Sequence, residues 1–293
     1  MYPMQINLKF DDDAYKNSLK VPQCKISDFN LGSMRFKWNE ENKIRSEYFS
    51  KTYPDKKIID IELCHSKKVL MIKDENDLEN ISKEHILADG IITKNTNFVP
   101  VVTVADCMSI FIFDDKSNSF GVVHSGWKGT GISVEAINLI LQNNPQSKIE
   151  NLHFILGPHI KNCCYQIDEE RKNYFSKNFT PECITEIDGK IFLSLEKANL
   201  HLLEKLGIPK NHIVCYSECT CCSKIDDEKS SLKEIFKYGS FRRQHVLEGK
   251  DFYVMAVAKN GKVEKLEINA LYDLQSQANK KAPTKIPGEP GHK

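Results

Sequence analysis

The sequence lacks an apolar segment long enough to cross a membrane, which takes about 20 consecutive residues. Residues 1–20 are polar and carry Asp11, Asp12 and Asp13 where a signal peptide would need its apolar run. From these absences we expect no membrane partner and a cytoplasmic location.

An excess of either charge is also missing, because 41 Lys and Arg residues balance 40 Asp and Glu residues to a net charge of +1. A protein that binds nucleic acid through its phosphates usually carries a basic excess, so no nucleic-acid partner is expected. Residues 1–260 contain no internal repeat and no low-complexity linker. At 293 residues and 40% hydrophobic, the chain is long enough to bury a substantial core.

Disulfide bonds are not expected, since the ten cysteines would lie in a reducing compartment. Each is then a core thiol, a metal ligand or a nucleophile. Three of them cluster at positions 219, 221 and 222, with no second C-x-x-C pair or His-rich repeat nearby. Cys163 and Cys164 could complete a structural zinc site with them, but the favoured interpretation is thiols that line a substrate pocket.

Hydrophobic patterning predicts a mixture of strands and helices. Residues 59–64 and 67–72 are typical of a β-hairpin, and further strands are predicted at 98–104, 109–113, 120–124, 151–156, 212–216 and 251–258. Helices are predicted at 131–143, 167–178 and 194–206, the last with Ser194 as N-cap and Gly207 at its C-terminal end. The two types do not alternate strictly, which favours an α+β fold over a doubly wound sheet.

Cys107 and His124 stand at the ends of neighbouring predicted strands, where side chains are held rigidly beside a cleft. They could share a zinc ion, because thiolate and imidazole are its preferred ligands, or form a nucleophile and its base. They could also be a core cysteine and an unrelated turn histidine, and spacing alone does not decide. His65, after the strand 59–64, is equally open.

Arg242 and Arg243 follow an aromatic residue, and a planar guanidinium suits a phosphate group. In a strand their side chains would point to opposite faces, so one of them is expected to enter a site. The alternative is a pair of surface arginines.

Short motifs follow one another along most of the chain: NLG at 30–32, LCHS at 63–66, ADG at 88–90, VADC at 104–107, HSGWKG at 124–129, GPHI at 157–160, CCYQID at 163–168, Cys219-Thr220, and SFRR at 240–243. In this order they resemble the YfiH or laccase-domain family, known also as polyphenol-oxidase-like proteins and multifunctional purine nucleoside phosphorylases. The resemblance runs from about Asn30 to about Val257.

The resemblance implies an α+β domain with α/β/β/α layers and mixed β-sheets. It implies a catalytic zinc held by His65, Cys107 and His124, with a fourth position open. The same three residues and Asp106, as an orienting group, form the predicted catalytic set. Arg242, Arg243 and Lys128 form the predicted substrate-binding set.

The implied activity is phosphorolysis of adenosine, inosine and methylthioadenosine, together with deamination of adenosine, by a monomer or homodimer whose partners are a nucleoside and phosphate. Three alternatives remain open: an amidase or hydrolase of cell-wall precursors that uses Cys107 as nucleophile, a copper polyphenol oxidase, and a non-catalytic metal-binding protein. Copper is disfavoured because the sequence offers one three-ligand site and no multi-copper cluster.

The chain departs from the family in several places. Residues 1–29 form a divergent N-terminal segment without the Arg-x-Gly-Gly-x-Ser motif that usually opens the family, residues 30–266 form the predicted catalytic domain, and residues 267–293 a mobile polar tail. Ser66 replaces a turn glycine, which restricts the backbone there. Lys128 and Lys250 stand where arginine is common, which weakens any bidentate contact.

Overall fold

The computed structural model describes residues 5–225, 236–248 and 254–259. Its strands are β1 Gln5–Leu8, β2 Gln23–Ser27, β3 Lys57–Ile59, β4 Val69–Ile72, β5 Gly90–Thr93, β6 Phe98–Val104, β7 Met108–Asp114, β8 Phe120–Ser125, β9 Leu152–Leu156, β10 Gln166–Ile167, β11 Ile184–Ile187, β12 Lys190–Leu193, β13 Ile213–Cys215 and β14 Val254–Lys259. Its helices are α1 Asp12–Asn17, α2 Lys43–Thr52, α3 Glu75–Lys83, α4 Ile132–Asn143, α5 Glu169–Asn178, α6 Leu195–Lys205 and α7 Phe241–Glu248.

The strands form two large mixed sheets and one small one. The first has the order β1-β2-β14-β6-β3, and the second has the order β13-β9-β7-β8-β5-β4. Both combine antiparallel pairs with parallel ones, such as β3 with β6 and β4 with β5. The small antiparallel sheet has the order β10-β12-β11. The α+β class with mixed sheets, predicted from the sequence, is confirmed.

The central strand β7 shows how two cores are built on the faces of one sheet. Phe111 and Phe113 are fully buried in a core shared with residues of the five-stranded sheet, including Val101 of β6. Ile110 and Ile112 point the other way, into a core shared with the helices α4 and α6. Alternate residues of a strand face opposite sides, so one apolar strand contributes side chains to both cores.

Most of the predicted elements are present, with ends shifted by one or two residues. Helix α6 begins after Ser194, whose side chain accepts a hydrogen bond from the Lys197 backbone as an N-cap should. Gly207, just beyond the helix, has the left-handed φ of 84° expected of a C-terminal stop. Residues 251–253 of the last predicted strand lie outside the described part of the chain.

The predicted hairpin at 59–64 and 67–72 is wrong. The first run shares only Ile59 with a strand, β3, which pairs in parallel with β6 of the five-stranded sheet. The second contributes β4, which pairs in parallel with β5 of the six-stranded sheet. The segment between β3 and β4 therefore crosses from one sheet to the other, and His65 lies in this segment.

The segment before Asn30 takes part in the sheet structure. Its strands β1 and β2 pair with each other, and β2 pairs with β14. The predicted tail, residues 267–293, lies outside the described residues. Within the described part of the chain, no helix combines the length and apolar character needed to cross a membrane.

Candidate metal centre and substrate cavity

The three side chains predicted as metal ligands come together at one end of the six-stranded sheet. His124 lies in β8, Cys107 directly precedes β7, and His65 lies between β3 and β4. One nitrogen or sulfur atom from each lies within 4.8 Å of those of the other two. The two imidazole rings meet edge to face, with their centroids 5.1 Å apart.

The pairing of β7 with β8 sets Cys107 beside His124. Met108 lies opposite Ser125, and Ser109 lies opposite His124, so the residue before β7 reaches the end of β8. The turn that follows is closely packed: a Cβ atom at Gly126 would lie 2.8 Å from the Cys107 sulfur. Only glycine fits there without displacing the thiol.

Asp89, in the turn before β5, connects the two candidate histidine ligands, His65 and His124. Its fully buried carboxylate accepts a hydrogen bond from the His65 backbone N–H at 2.9 Å. It also lies 3.0 Å from Nδ1 of His124. A proton on Nδ1 that bonds to this carboxylate leaves Nε2 as a free electron-pair donor, which is the tautomer a metal requires.

The charges around His124 favour a cation at this position. Burial opposes a charge on the ring, but the Cys107 sulfur and the Asp89 carboxylate raise the pKa of His124 to about 9. Burial also opposes ionisation of Asp89, yet its bond to His124 and donors from Ser66 hold the Asp89 pKa well below its usual range. A metal ion could take the place of the proton between His124 and Cys107.

The donor set fits a zinc ion. Two imidazoles and one thiolate are the ligand types that zinc prefers, and three protein ligands are typical of a catalytic zinc. Asp89 supplies the carboxylate that such histidines usually bind through their second nitrogen. All three candidate ligands line a cavity, so a fourth position would face the space where a substrate can enter.

That cavity has a volume of about 720 Å³, within the range of small-molecule sites. Its walls combine aromatic rings with cationic side chains. The aromatic residues are Phe36, Trp127, Tyr165 and Phe241, and the cationic residues are Arg35, Lys37, Lys128, Arg171 and Arg242. Such walls suit a flat heterocycle that carries or accompanies an anion.

Trp127 lies next to two of these cations. The Arg171 guanidinium lies 4.8 Å from the Trp127 ring centroid, and the Lys128 ammonium lies 5.3 Å from it. Arg171 is largely buried, whereas Lys128 is exposed. The predicted substrate-binding residue Lys128 therefore lies at the cavity's solvent-facing side.

Asp106, predicted to orient the site, lines the cavity beside Cys107. Its buried carboxylate accepts hydrogen bonds from Thr220 Oγ1 at 2.7 Å, from Ser240 Oγ at 2.9 Å and from the Arg242 backbone N–H at 2.6 Å. Burial raises the pKa of Asp106 against the effect of these donors. The residue before the candidate ligand is thus tied to two other motifs that are distant in sequence.

The structure separates the two predicted substrate-binding arginines. Arg242 lines the cavity, with its guanidinium 5.4 Å from the Tyr165 ring centroid and Nη2 donating to the Gln166 carbonyl at 3.0 Å. Arg243 is not among the described lining residues. Its guanidinium donates to the Thr220 and Cys221 carbonyls and lies 3.8 Å from the Phe236 ring centroid.

One arginine was expected to enter the site because side chains alternate along a strand. Residues 241–248 form the helix α7 and not a strand. Successive side chains of a helix point about 100° apart, which is enough to send Arg242 to the cavity and Arg243 toward the turn at residues 219–222. Lys250, the second lysine at a common arginine position, lies outside the described residues.

Ser66, which replaces a turn glycine, forms bonds of its own. Its backbone N–H and its hydroxyl both donate to Asp89 Oδ2, at 2.6 and 2.8 Å. The left-handed residue of the turn is His65, with a φ of 56°. The backbone restriction expected at Ser66 therefore falls on His65, and the serine adds a donor to the carboxylate that orients His124.

We expect Ser66→Gly to lower the free energy of unfolding by about 1 kcal/mol, because a buried carboxylate loses one hydrogen bond. Urea unfolding measures this. Ser66→Ala removes the same hydroxyl and keeps the backbone restriction, so a similar loss in both variants assigns the effect to the bond. A serine without influence on the site would leave both unfolding curves unchanged.

Sequence reasoning missed the role of Asp89. The residue stands in the ADG motif at 88–90, but a short motif does not say which histidine its carboxylate will meet. The signal available was a carboxylate directly before a buried strand that adjoins the strand of His124. The cavity residues Trp127 and Tyr165 likewise stand within quoted motifs, whereas Arg35 and Lys37 had no such signal.

We expect Asp89→Asn to weaken zinc binding about 10- to 100-fold, the usual cost of losing such a partner. The amide can donate to His124 Nδ1, which would move the ring proton to Nε2 and block the metal. Competition with a chromophoric chelator measures the affinity. Asp115→Asn is the matched control, because Asp115 bonds His153, a histidine that does not belong to the group of His65, Cys107 and His124. Equal zinc affinity in both variants would contradict the prediction.

Comparison with known proteins agrees with this fold. Residues 26–228 match the family model described as multi-copper polyphenol oxidoreductase laccase. The match covers more than half of the chain, and the protein belongs to this family.

Two curated relatives carry the name purine nucleoside phosphorylase. The protein from Borreliella burgdorferi is 28% identical over 177 residues, which cover 59% of this chain and 70% of that protein. The protein from Clostridium acetobutylicum is 34% identical over 145 residues, which cover 48% of this chain and 59% of that protein.

Solved structures show the same fold. YlmD from Geobacillus stearothermophilus superposes with a TM-score of 0.67 at 19% identity, over 82% of this chain and 92% of that one. YfiH from Bacillus licheniformis gives a TM-score of 0.67 at 20% identity, over 81% of this chain and 92% of that one.

Proposed function

We propose that this protein is a zinc-dependent purine nucleoside phosphorylase. It would convert adenosine, inosine and methylthioadenosine to the free base and the corresponding ribose 1-phosphate, and it would also deaminate adenosine. The observation that supports this most is one cavity in which the three candidate metal ligands, aromatic rings and cations face the same space. The names of the two relatives point to the same activity.

His65, Cys107 and His124 would hold the zinc. When bound there, zinc would supply a Lewis acid on the cavity wall. The family description names copper, but a multi-copper centre needs several clusters of ligands. Among the described lining residues, histidine and cysteine occur at these three positions, and two imidazoles with a thiolate suit zinc well.

The remaining walls would hold the two substrates. A purine would stack on the aromatic residues, because aromatic faces bind flat rings with little loss of side-chain freedom. The phosphate would be held by Arg242 from inside and by Lys128 from the solvent side. Arg243 is left out of this set, since its guanidinium is occupied by backbone carbonyls.

Asp106 would act as a positioning residue. Its carboxylate joins the start of α7, which carries Arg242, to the turn that carries Cys107. The metal ligand and the phosphate-binding arginine would therefore be held at a fixed separation. Such fixed placement lowers the cost of bringing nucleoside and phosphate into a reactive arrangement.

The geometry also supports a second candidate, a hydrolase or amidase that uses Cys107 as nucleophile. A ring nitrogen of His124 lies within 4.8 Å of the Cys107 sulfur, and Nδ1 lies 3.0 Å from Asp89. This is the order of nucleophile, base and orienting carboxylate found in cysteine hydrolases. Stoichiometric zinc bound through Cys107 would argue against this candidate, because a ligating thiolate is not free to attack.

Release of purine base from adenosine, inosine and methylthioadenosine tests the proposal. Zinc-loaded protein is assayed with and without phosphate, and formation of inosine from adenosine without phosphate reports deamination. We expect phosphate-dependent release that disappears in Cys107→Ala. If no nucleoside reacts while zinc remains bound to His65, Cys107 and His124, the proposal is wrong.

A further inference from the structure

A second group of metal-binding side chains lies away from the cavity. The sulfur atoms of Cys163, Cys164, Cys219 and Cys222 all lie within 4.8 Å of one another. None of the four is among the described residues that line the cavity. The interpretation of these thiols as the lining of a substrate pocket is therefore not supported.

The spacing of the sulfurs suits a single tetrahedral metal ion. Four sulfurs placed about 2.3 Å from a zinc ion lie about 3.8 Å from each other. The sulfur of Cys163 lies 3.8 Å from that of Cys164 and 3.7 Å from that of Cys222. All ten cysteines of the chain are free thiols, so none of the four is committed to a disulfide.

The local sequence brings the four ligands together in two pairs. Cys219 and Cys222 form a C-x-x-C turn, whose backbone closes with a hydrogen bond from the Ser223 N–H to the Cys219 carbonyl at 2.9 Å. Cys163 and Cys164 lie in the turn between β9 and β10. The bridge between His159 and Cys219 joins the two segments, which are too far apart in sequence for either to suggest the other.

A backbone donor lies against one of the four sulfurs. The Lys161 backbone N–H donates to the Cys219 sulfur at 3.4 Å, and such donors stabilise the negative charge of a metal-bound sulfur. Cys164 and Cys219 are buried, whereas Cys163 and Cys222 are exposed. An ion could therefore reach the exposed Cys163 and Cys222 from solvent and be bound from the interior by Cys164 and Cys219.

A third group, formed by Asp11, His153 and His212, is different. Both ring nitrogens of His153 already lie against carboxylates, Nδ1 at 2.7 Å from Asp11 and Nε2 at 3.2 Å from Asp115. Nδ1 of His212 lies 3.3 Å from the Leu152 carbonyl. Those atoms are used in hydrogen bonds, so proximity alone does not make a metal site, and the cysteine group differs by offering four sulfurs.

We propose that Cys163, Cys164, Cys219 and Cys222 bind a second metal ion, zinc, in a closed tetrathiolate site. Four protein ligands leave no open position, which is typical of a structural ion. The site would fix the turn at residues 219–222. Thr220 of that turn donates to Asp106, beside Cys107, so the second ion would support the cavity without touching substrate. This proposal does not depend on the reaction that the cavity performs.

Metal analysis in a Cys107→Ala background tests the proposal, because zinc at the cavity is then removed. We expect Cys107→Ala protein to keep one zinc per chain. The further changes Cys163→Ser and Cys222→Ser should abolish this zinc. Cys107→Ala with Cys215→Ser is the matched control, since Cys215 is an exposed thiol outside the cluster, and it should keep the zinc.

Cobalt spectroscopy of the Cys107→Ala protein checks the result without altering the cluster. Cobalt(II) bound by four thiolates gives intense sulfur-to-metal charge-transfer bands and tetrahedral d–d bands. We expect these bands at one equivalent of cobalt, and their loss when zinc is added. A metal-free Cys107→Ala protein, a disulfide between Cys163 and Cys222 in mass spectra, or zinc that persists after both serine changes would each overturn the proposal.

Discussion

Cys107→Ala is expected to lower the rate of phosphorolysis roughly 10³-fold or more, because polarisation by a bound metal supplies several kcal/mol of transition-state stabilisation. The same change should remove one zinc per chain. His65 and His124 alone would be left as ligands, and two imidazoles hold zinc far more weakly than two imidazoles with a thiolate. Rate and zinc content are measured on the same preparation.

Cys107→Asp separates a ligand from a nucleophile. A carboxylate can bind zinc but cannot replace a thiol that attacks substrate. If Cys107 is a ligand, the aspartate variant should recover part of the zinc and part of the rate relative to alanine. An aspartate variant that binds zinc in the cavity and still has the rate of the alanine variant would contradict the metal role.

Cys215→Ser is the control for loss of a thiol as such. Cys215 is exposed and lies outside both cysteine-containing clusters. Its replacement should leave both the zinc content and the rate unchanged. A fall in either would mean that the Cys107 result includes a general effect on the fold.

The elements that sequence patterning predicted well are those that bury one continuous apolar run. Strand β6 and strand β8 are almost wholly buried, and their hydrophobic residues alone define their positions. The predicted hairpin failed because pairing partners depend on contacts that are distant in the chain. β3 pairs with β6 and β4 with β5, and no local pattern distinguishes this from pairing with each other.

The candidate site shows the same division. Residue types at strand ends made Cys107 and His124 candidates, and the family resemblance selected them together with His65. Asp89 could not be paired with His124 from spacing, because their contact arises from the antiparallel pairing of β5 with β8. The four-cysteine group was undervalued for a similar reason, since its two pairs meet through a bridge that only the fold creates.

The two neighbouring arginines show the effect of a wrong secondary-structure assignment. Alternation in a strand and rotation in a helix both separate adjacent side chains, so the sequence could predict that one enters the cavity. It could not predict which one. The choice follows from the hydrogen bond between the Arg242 backbone and Asp106, which fixes the first turn of α7.

Arg242→Ala is expected to raise the KM for phosphate about 10- to 100-fold, since a charged hydrogen bond contributes about 1.5–3 kcal/mol. The nucleoside KM should change little. Arg242→Lys keeps the charge but loses the planar fork, so its phosphate KM should lie between those of the wild type and the alanine variant. Initial rates measured against phosphate at saturating nucleoside give these values.

Lys128→Ala is the matched control, because Lys128 lines the same cavity from an exposed position. Water screens an exposed charge, so its loss should raise the phosphate KM only a few-fold.

Deamination of adenosine needs no phosphate and should survive in every one of these variants. If Arg242→Ala and Arg242→Lys instead lower phosphorolysis and deamination together at an unchanged phosphate KM, Arg242 supports the cavity through the Gln166 carbonyl and does not bind phosphate. The phosphate site would then have to be sought among the other cations of the wall, beginning with Arg171 beside Trp127.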